Sequence, residues 1–194
     1  MLKKLLITGF DPFGGEQINP AWEAVRLLPE RIGNFQVFKL QIPTVFGLAA
    51  ERILEAANQL QPDVILAIGQ AGGRSMVTPE RIGINVRSAR ICDNQGNCPS
   101  EEPIVPGGPD GLFSTVPAAN MAEAIRQGGL PGGVSNSAGT FVCNDVLYTV
   151  LAHYAGTPVQ VGFIHVPFLP EQGQPSMALT DTVRALELAI LAIS

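Results

Sequence analysis

Short, continuous apolar runs alternate with longer amphipathic segments along most of the chain. The apolar runs have the length of β-strands, whereas the longer segments repeat apolar residues at helical spacing. The runs predict strands at 4–8, 35–42, 64–68 and 159–165. The amphipathic segments predict helices at 21–28, 47–60, 116–127, from 142 onward and at 177–193. Such alternation is typical of an α/β fold, here a three-layer α/β/α sandwich with a mostly parallel, twisted sheet.

Length and helix-end signals agree with this layout. A chain of 194 residues with 46% hydrophobic content fits a single domain spanning 1–194, and no repeat or linker interrupts it. Asn19 and Pro20 supply an N-cap and a proline at the first helical position. We expect Ser176 to cap the closing helix in the same way.

The segment 76–90 interrupts the alternation of strands and helices, and we expect it to add an antiparallel hairpin. Its apolar residues alternate, so Ile82, Ile84 and Val86 share one strand face. By the same period Glu80 points toward that apolar face, where a carboxylate is costly unless it meets a cation or hydrogen-bond donors. Its partner is either an arginine in a structural ion pair or an imidazole that the carboxylate orients.

Cys143 stands where a glycine- and serine-rich loop enters an apolar, helix-compatible segment. With Thr140 as N-cap, Cys143 lies in the first helical turn, whose N–H groups lack intrahelical partners. The helix dipole stabilises a thiolate there, and the free N–H groups suit the oxyanion that forms when a thiolate attacks a carbonyl. The alternative is a small, buried core cysteine.

The chain has only two histidines that can serve as a base for such a nucleophile. His153 follows Cys143 by ten residues on the same predicted helix, about 15 Å away along its axis, so it cannot reach the thiol. His165 ends the last predicted strand, at the level where sites form in α/β sheets. His165 is therefore the better candidate base, the alternative being a hydrogen-bonded structural residue.

Charge and cysteine usage argue against several other classes of protein. A net charge of −5 and 15% charged residues disfavour a nucleic-acid partner or an anionic membrane surface. No segment approaches the roughly 20 apolar residues of a membrane span, and no complete signal sequence is present, so we expect a cytoplasmic protein.

Three cysteines without a CxxC pair make a structural zinc site improbable. Cys92 and Cys98 lie at or near the exposed loop 93–111; their spacing permits a local disulfide under oxidation, but we expect two free thiols.

The loop 9–15, Gly-Phe-Asp-Pro-Phe-Gly-Gly, follows the first predicted strand. It lacks the spacing of a dinucleotide-binding or P-loop motif, which disfavours a phosphate ligand. Phe10 and Phe13 in this loop suit a flat, uncharged ligand better, unless they only pack the loop.

Three stretches together resemble the pyroglutamyl peptidase I (pyrrolidone-carboxylate peptidase) family of cysteine peptidases. They are the loop 9–15 with Asn19-Pro20, the stretch 72–85 around Glu80, and the stretch 134–144 around Cys143. Gly83 is a minor departure, since many relatives carry alanine there. These stretches span nearly the whole chain, so the resemblance is strong.

The resemblance implies a Cys143–His165–Glu80 catalytic triad and hydrolysis of the amide bond after an N-terminal pyroglutamyl residue, through a thioester. Substrates would be peptides with N-terminal pyroglutamate, no cofactor or metal is called for, and relatives suggest a homotetramer. Two other functions stay open from the residues alone: a different cysteine amidohydrolase and a non-catalytic ligand-binding protein.

The resemblance also implies roles around the substrate. Phe10 and Phe13 line the pocket for the pyroglutamyl ring, and the backbone of Gln70 contacts the lactam. Arg90 matches an arginine that the family places near the oxyanion; the alternative is a solvated surface arginine.

Overall fold

The computed structural model describes residues 2–193 and has a central sheet flanked by helices. The strands are β1 (Lys3–Phe10), β2 (Arg31–Ile32), β3 (Phe35–Ile42), β4 (Val64–Gln70), β5 (Thr78–Pro79), β6 (Ile82–Ile84), β7 (Gly111–Phe113) and β8 (Gln160–Val166). The helices are α1 (Pro20–Leu27), α2 (Leu48–Leu60), α3 (Ala118–Gln127), α4 (Val142–His153) and α5 (Leu179–Leu191).

The main sheet has the strand order β2-β3-β1-β4-β8-β5. Its inner strands β3, β1, β4 and β8 are parallel, while the short edge strands β2 and β5 run antiparallel. The chain winds from β1 to β3 on one side and then returns to add β4 on the other. Such a reversal opens a crevice at the carboxyl ends of the strands, which is where α/β sheets bind ligands.

Helices cover both faces of the sheet, as a three-layer sandwich requires. Successive side chains of β1 point to opposite faces, so Leu5 and Ile7 join one core while Leu6 and Phe10 join the other. Helices α1, α3 and α5 pack over the first core, and α2 and α4 pack over the second. The predicted fold class is therefore confirmed.

Helix ends follow the sequence signals in one case and depart from them in two. Asn19 caps α1, its side-chain oxygen accepting from the Ala21 N–H at 3.0 Å. Phe141 rather than Thr140 precedes α4, because the Thr140 hydroxyl donates to the Ser88 carbonyl at 2.9 Å. Likewise α5 starts after Ala178, and the Ser176 hydroxyl instead accepts from Gln174 Nε2 at 2.8 Å. Capping by Thr140 and Ser176 was wrongly predicted.

The excursion after β4 contains antiparallel pairing, but not as one continuous hairpin. β5 pairs with β8, and β6 pairs with β7 at 111–113, beyond the segment 76–90 that was expected to hold both strands. The strand breaks at Glu80, whose N–H donates to the Phe163 carbonyl at 2.8 Å while Arg81 N–H turns to Ser135. Val86 accordingly lies outside β6.

A disulfide joins Cys92 and Cys98, so the expectation of two free thiols is wrong. The turn between them is held by Asp93, whose Oδ1 accepts from the Gln95 and Asn97 N–H groups at 2.9 Å. This turn brings the two cysteine Cα atoms to 4.6 Å, within the range of disulfides.

No helix in the described part of the chain is both long and apolar enough to cross a membrane.

Candidate active site

The carboxyl ends of β1, β4 and β8 meet the N-terminus of α4 around a cavity of about 140 Å³. Its lining residues are Phe10, Phe13, Asn19, Thr44, Gln70, Ala138, Phe141, Cys143 and His165. Five of the residues expected to form a site from the sequence therefore line one cavity, and Glu80 lies directly behind His165. Residues distant in sequence meet here because parallel strands end at the same edge of the sheet.

Cys143 lies in the first turn of α4, as the sequence indicated. The helix's first backbone bonds run from the Asn144 and Asp145 N–H groups to the Phe141 carbonyl, both at 3.1 Å. The N–H of Cys143 precedes them and acts to lower the pKa of the thiol beside it, against the effect of burial. An N–H group with no helical acceptor thus lies beside the thiol, in the positive end of the helix dipole.

Two polar residues that sequence analysis missed hold this first turn in place. Asn144 is fully buried; its amide donates to the Ile84 and Val86 carbonyls at 2.8 and 2.9 Å and its oxygen accepts from Ile84 N–H at 2.9 Å. Asp145, also buried, accepts from Gly47 N–H at 2.8 Å and from Arg87 Nε at 3.0 Å. Two polar residues in a mostly apolar helix were the signal that could have identified them.

His165 and Glu80 form a buried pair, with 2.7 Å between Nδ1 and Oε1. Their proximity follows from strand pairing: Thr78 of β5 is opposite His165 of β8, and Glu80 comes just after β5. Because Glu80 occupies Nδ1, Nε2 is the ring nitrogen left for the cavity that His165 shares with Cys143. His153, by contrast, is exposed at the end of α4 with its ring 4.8 Å from that of Tyr154.

Arg74 completes the group around Glu80; it lies within the stretch 72–85, but sequence analysis assigned it no role. Its guanidinium donates to Glu80 Oε1 at 2.8 Å, to the Thr78 hydroxyl at 2.6 Å and to the Ser137 carbonyl at 3.1 Å. Glu80 therefore has both of the partners that the sequence left open, an arginine and an imidazole.

The electrostatics favour a neutral thiol and a neutral imidazole at rest. Burial raises the pKa of the Cys143 thiol to about 12, and the charge of Glu80 acts in the same direction while Arg74 opposes it. Burial also lowers the pKa of His165, although the Glu80 carboxylate opposes this. For Glu80, burial works against ionisation, but the hydrogen bond and charge of His165, with the nearby Ser135 and Arg74 side chains, outweigh it, so its pKa is lowered.

Aromatic rings and uncharged side chains form the rest of the cavity. The Phe141 ring lies 5.9 Å from that of Phe13 and meets that of Phe46 edge-on at 5.2 Å. No aspartate, glutamate, lysine or arginine is among the lining residues. Burying a charged ligand without a countercharge is costly, so the cavity suits a flat, neutral group.

Gln70 and Arg90 differ in their relation to the cavity. Gln70 ends β4 at the cavity, and its side-chain oxygen accepts from Gln172 Nε2 at 3.1 Å. Arg90 is exposed, is not among the lining residues, and its side chain has no hydrogen bond or ion pair to any other residue in the range 2–193. Its role near the oxyanion stays a prediction.

No group of His, Cys, Asp and Glu side chains among residues 2–193 is arranged to hold a metal ion.

Comparison with known proteins identifies the family. A family model described as pyroglutamyl peptidase matches residues 3–194. The pyrrolidone-carboxylate peptidase of Levilactobacillus brevis is 55% identical, covering 98% of this chain and 97% of that protein. The crystal structure of pyroglutamyl peptidase I from Bacillus amyloliquefaciens is 44% identical and superimposes with a TM-score of 0.96, over 100% of this chain and 95% of that one. The pyrrolidone carboxyl peptidase of Thermococcus litoralis is 34% identical and superimposes with a TM-score of 0.94, over 99% of this chain and 93% of that one. The chain therefore belongs to the pyroglutamyl peptidase family of cysteine-type hydrolases.

Proposed function

We propose that the protein is a cysteine exopeptidase that hydrolyses the amide bond after an N-terminal pyroglutamyl residue of a peptide. The whole chain, 1–194, acts as one catalytic domain in this proposal. The observation that carries it is the placement of a thiol and a buried imidazole–carboxylate pair at one small, uncharged, aromatic cavity. Membership of the pyroglutamyl peptidase family supports the choice of substrate.

The reaction begins from the neutral thiol–imidazole pair. His165 Nε2 takes the proton from Cys143 Sγ as the sulfur attacks the carbonyl carbon of the pyroglutamyl residue. Glu80 accepts the Nδ1–H at 2.7 Å, which fixes the ring tautomer and stabilises the imidazolium as it forms. Burial raises the pKa of the Cys143 thiol and lowers that of His165, so the proposed reaction starts from the neutral pair.

The tetrahedral intermediate carries its negative charge at the start of α4. The Cys143 N–H and the helix dipole stabilise this oxyanion. The His165 imidazolium then protonates the leaving amine, and the carbon–nitrogen bond breaks to leave a thioester. Water, losing a proton to His165, attacks the thioester; pyroglutamate leaves, and the proton returns to the Cys143 sulfur.

Selectivity for the lactam follows from the absence of charge in the lining. A pyroglutamyl ring is flat and neutral, so aromatic side chains and backbone groups suffice to bind it; Phe10, Phe13 and the backbone of Gln70 are the proposed contacts. An N-terminal glutamine would bring an ammonium group into a cavity without a carboxylate in its lining. The peptide beyond the scissile bond stays outside the cavity.

The test is release of a fluorogenic amine from its pyroglutamyl amide by the wild type, Cys143→Ala and Cys143→Ser. We expect turnover by the wild type and its loss in Cys143→Ala. Equal turnover by Cys143→Ala would rule out the proposed nucleophile. Turnover only of carboxamides or esters that lack the lactam would establish the alternative cysteine amidohydrolase.

Assembly and location are further proposals. The resemblance to the family suggests a homotetramer, to be tested by light scattering of the purified chain. The sequence predicts the cytoplasm, whereas the Cys92–Cys98 disulfide is of a kind that is rare there; fractionation of the source cells tests the location.

A further inference from the structure

Arg74 occupies an unusual position for a partly exposed arginine. Its side chain is 30% exposed, yet its guanidinium reaches the fully buried carboxylate of Glu80. It also donates to the Thr78 hydroxyl at the end of β5 and to the Ser137 carbonyl, in the loop that leads to Cys143. One side chain thus connects the segment that carries Glu80 with the loop that leads to the proposed nucleophile.

The two oxygens of Glu80 are used unequally. Oε1 accepts from both His165 Nδ1 at 2.7 Å and Arg74 Nη1 at 2.8 Å, whereas the buried Oε2 has no hydrogen-bond partner among residues 2–193. Without Arg74, this buried carboxylate would have no cationic partner at rest, because the imidazole of His165 is then neutral. A buried carboxylate deprived of its cation tends to take up a proton or to move toward water.

We propose that Arg74 is a positioning residue of the acyl-transfer reaction: it keeps Glu80 ionised and aimed at His165, and it holds the Ser137 loop against that pair. The proposal rests on the proposed function, since it assigns Arg74 a task in the same reaction. Arg74 acts through Glu80 and does not line the cavity.

The charge of Arg74 has a consequence for the pH dependence of activity. The titratable or charged groups involved are Glu80, His165 on β8, Cys143 on α4 and Arg74 itself, while Thr78 and Ser135 are neutral neighbours. Arg74 lowers the pKa of all three titrating groups. Its removal therefore lets the His165–Glu80 pair take up a proton at higher pH, and the acid limb of the pH profile moves to higher pH.

The experiment compares kcat and KM across the acid limb for the wild type, Arg74→Gln, Arg74→Lys and a matched control, Arg126→Gln. Arg126 also pairs with a glutamate, Glu123, and donates to a loop carbonyl, that of Gly132 at 3.1 Å, but it lies outside the site. We expect Arg74→Gln to lower kcat by about tenfold to a hundredfold, the value of a lost charged hydrogen bond, and to move the acid limb upward. Arg74→Lys should return the limb toward its wild-type position, and Arg126→Gln should leave it unchanged.

A merely structural Arg74 predicts a different result. The kcat of Arg74→Gln would then be lower by the same factor at every pH, and the acid limb of its pH profile would stay at the wild-type position. This outcome would overturn the proposal. If Arg74→Gln does not fold, Arg74→Lys decides: because the charge is retained, a displaced limb contradicts the proposal.

A measurement without turnover separates this proposal from the proposed function. The chain has only two histidines, so His165 can be assigned by NMR with His153→Gln and titrated directly. We expect the pKa that the His165 ring reports, which is that of proton uptake by the His165–Glu80 pair, to be higher in Arg74→Gln than in the wild type. An unchanged pKa would overturn the role of Arg74 even in an active enzyme. A raised pKa in a protein that does not cleave pyroglutamyl amides would instead place the failure in the substrate assignment.

Discussion

The sulfur of Cys143 lies so close to Gly69 that a Cβ built on Gly69 would stand 2.9 Å from it. The same Cβ would come within 2.7 Å of the Phe163 ring, so neither neighbour leaves room for alanine. Glycine at this position of β4 is what allows α4 to bring its first turn down to the sheet. The position of the Cys143 thiol therefore depends on the lack of a side chain at Gly69 as well as on the start of α4.

Gly69→Ala should therefore displace the thiol and lower kcat/KM by on the order of a hundredfold, because small misplacements of reacting groups are costly. Assay of the folded variant with a pyroglutamyl amide gives the value. Gly162→Ala is the matched control, since its Cβ would meet Val116 at 2.2 Å on another part of the sheet. The control should lose stability, by about 1–3 kcal/mol, while its folded fraction keeps the wild-type kcat. Equal losses of kcat in both variants would contradict the argument.

Glu80→Gln tests the carboxylate that supports the imidazole. The amide is nearly isosteric but cannot stabilise the imidazolium, so kcat should fall by about 10²–10⁴-fold with a smaller change in KM. Steady-state kinetics of the purified variant provide the measurement. A kcat near the wild-type value would show that Glu80 serves only the ion pair with Arg74.

Acid should destabilise the fold through His165 before Glu80. Burial holds the pKa of His165 below its ordinary value of 6.5, so the unfolded chain binds this proton more readily than the folded one. Stability present above pH 6.5 is therefore lost as the pH falls through the His165 range, and the lowered pKa of Glu80 extends the loss below its ordinary value of 4.5. Thermal unfolding from about pH 8 to about pH 5 measures the first effect. The decline should be smaller in His165→Gln; an equal decline would assign it to other groups.

The disulfide supports the rim of the cavity through its turn. Asp93 Oδ2 accepts from Phe46 N–H at 2.9 Å, and Asn94 donates to the Pro12 carbonyl at 2.9 Å, next to Phe13. Replacing Cys92 and Cys98 together by serine should lower the free energy of unfolding by about 2 kcal/mol, as expected for a short loop. KM for the pyroglutamyl amide should rise while kcat changes little, because the triad is not touched. An unchanged KM in the folded double variant would remove the link between this turn and the cavity.

Selectivity against a substrate with an uncyclised N-terminal glutamine provides a test of the uncharged lining. The amide of N-terminal glutamine should be cleaved with a kcat/KM at least about a hundredfold below that of the pyroglutamyl amide, because its ammonium finds no carboxylate in the cavity. Parallel assays with the same leaving amine give the ratio. Comparable rates would show that the cavity does not recognise the lactam.

Local patterns predicted much of this molecule because they report burial directly. The apolar run at 64–68 indicated a strand buried on both faces, which is confirmed. Glu80 is buried as expected, although the strand breaks there and Ile82 and Ile84 are only half-buried. Elimination between His153 and His165 also identified the residue that lies at the cavity. These inferences depend on neighbours within a few positions, which a sequence displays.

Contacts between distant segments were not visible in the same way. Arg74 reaches Ser137 across 63 positions, and Thr140 bonds to Ser88 across 52. The second contact explains why Thr140 does not cap α4, since its hydroxyl already has an acceptor elsewhere. The spacing of Cys92 and Cys98 permitted the disulfide, but the turn that brings the two cysteines together depends on hydrogen bonds to the Asp93 side chain, which the sequence did not show.

The protonated thiol of Cys143 also bears on how the protein survives oxidants. Peroxides attack thiolates, and a thiol whose pKa is about 12 presents almost none at neutral pH. Formation of a sulfenic acid, the reversible step that precedes irreversible oxidation, should be correspondingly slow while the cavity is empty. The nucleophile becomes reactive only when a bound amide carbonyl receives the sulfur and His165 receives the proton, so its chemical durability and its selectivity have the same origin.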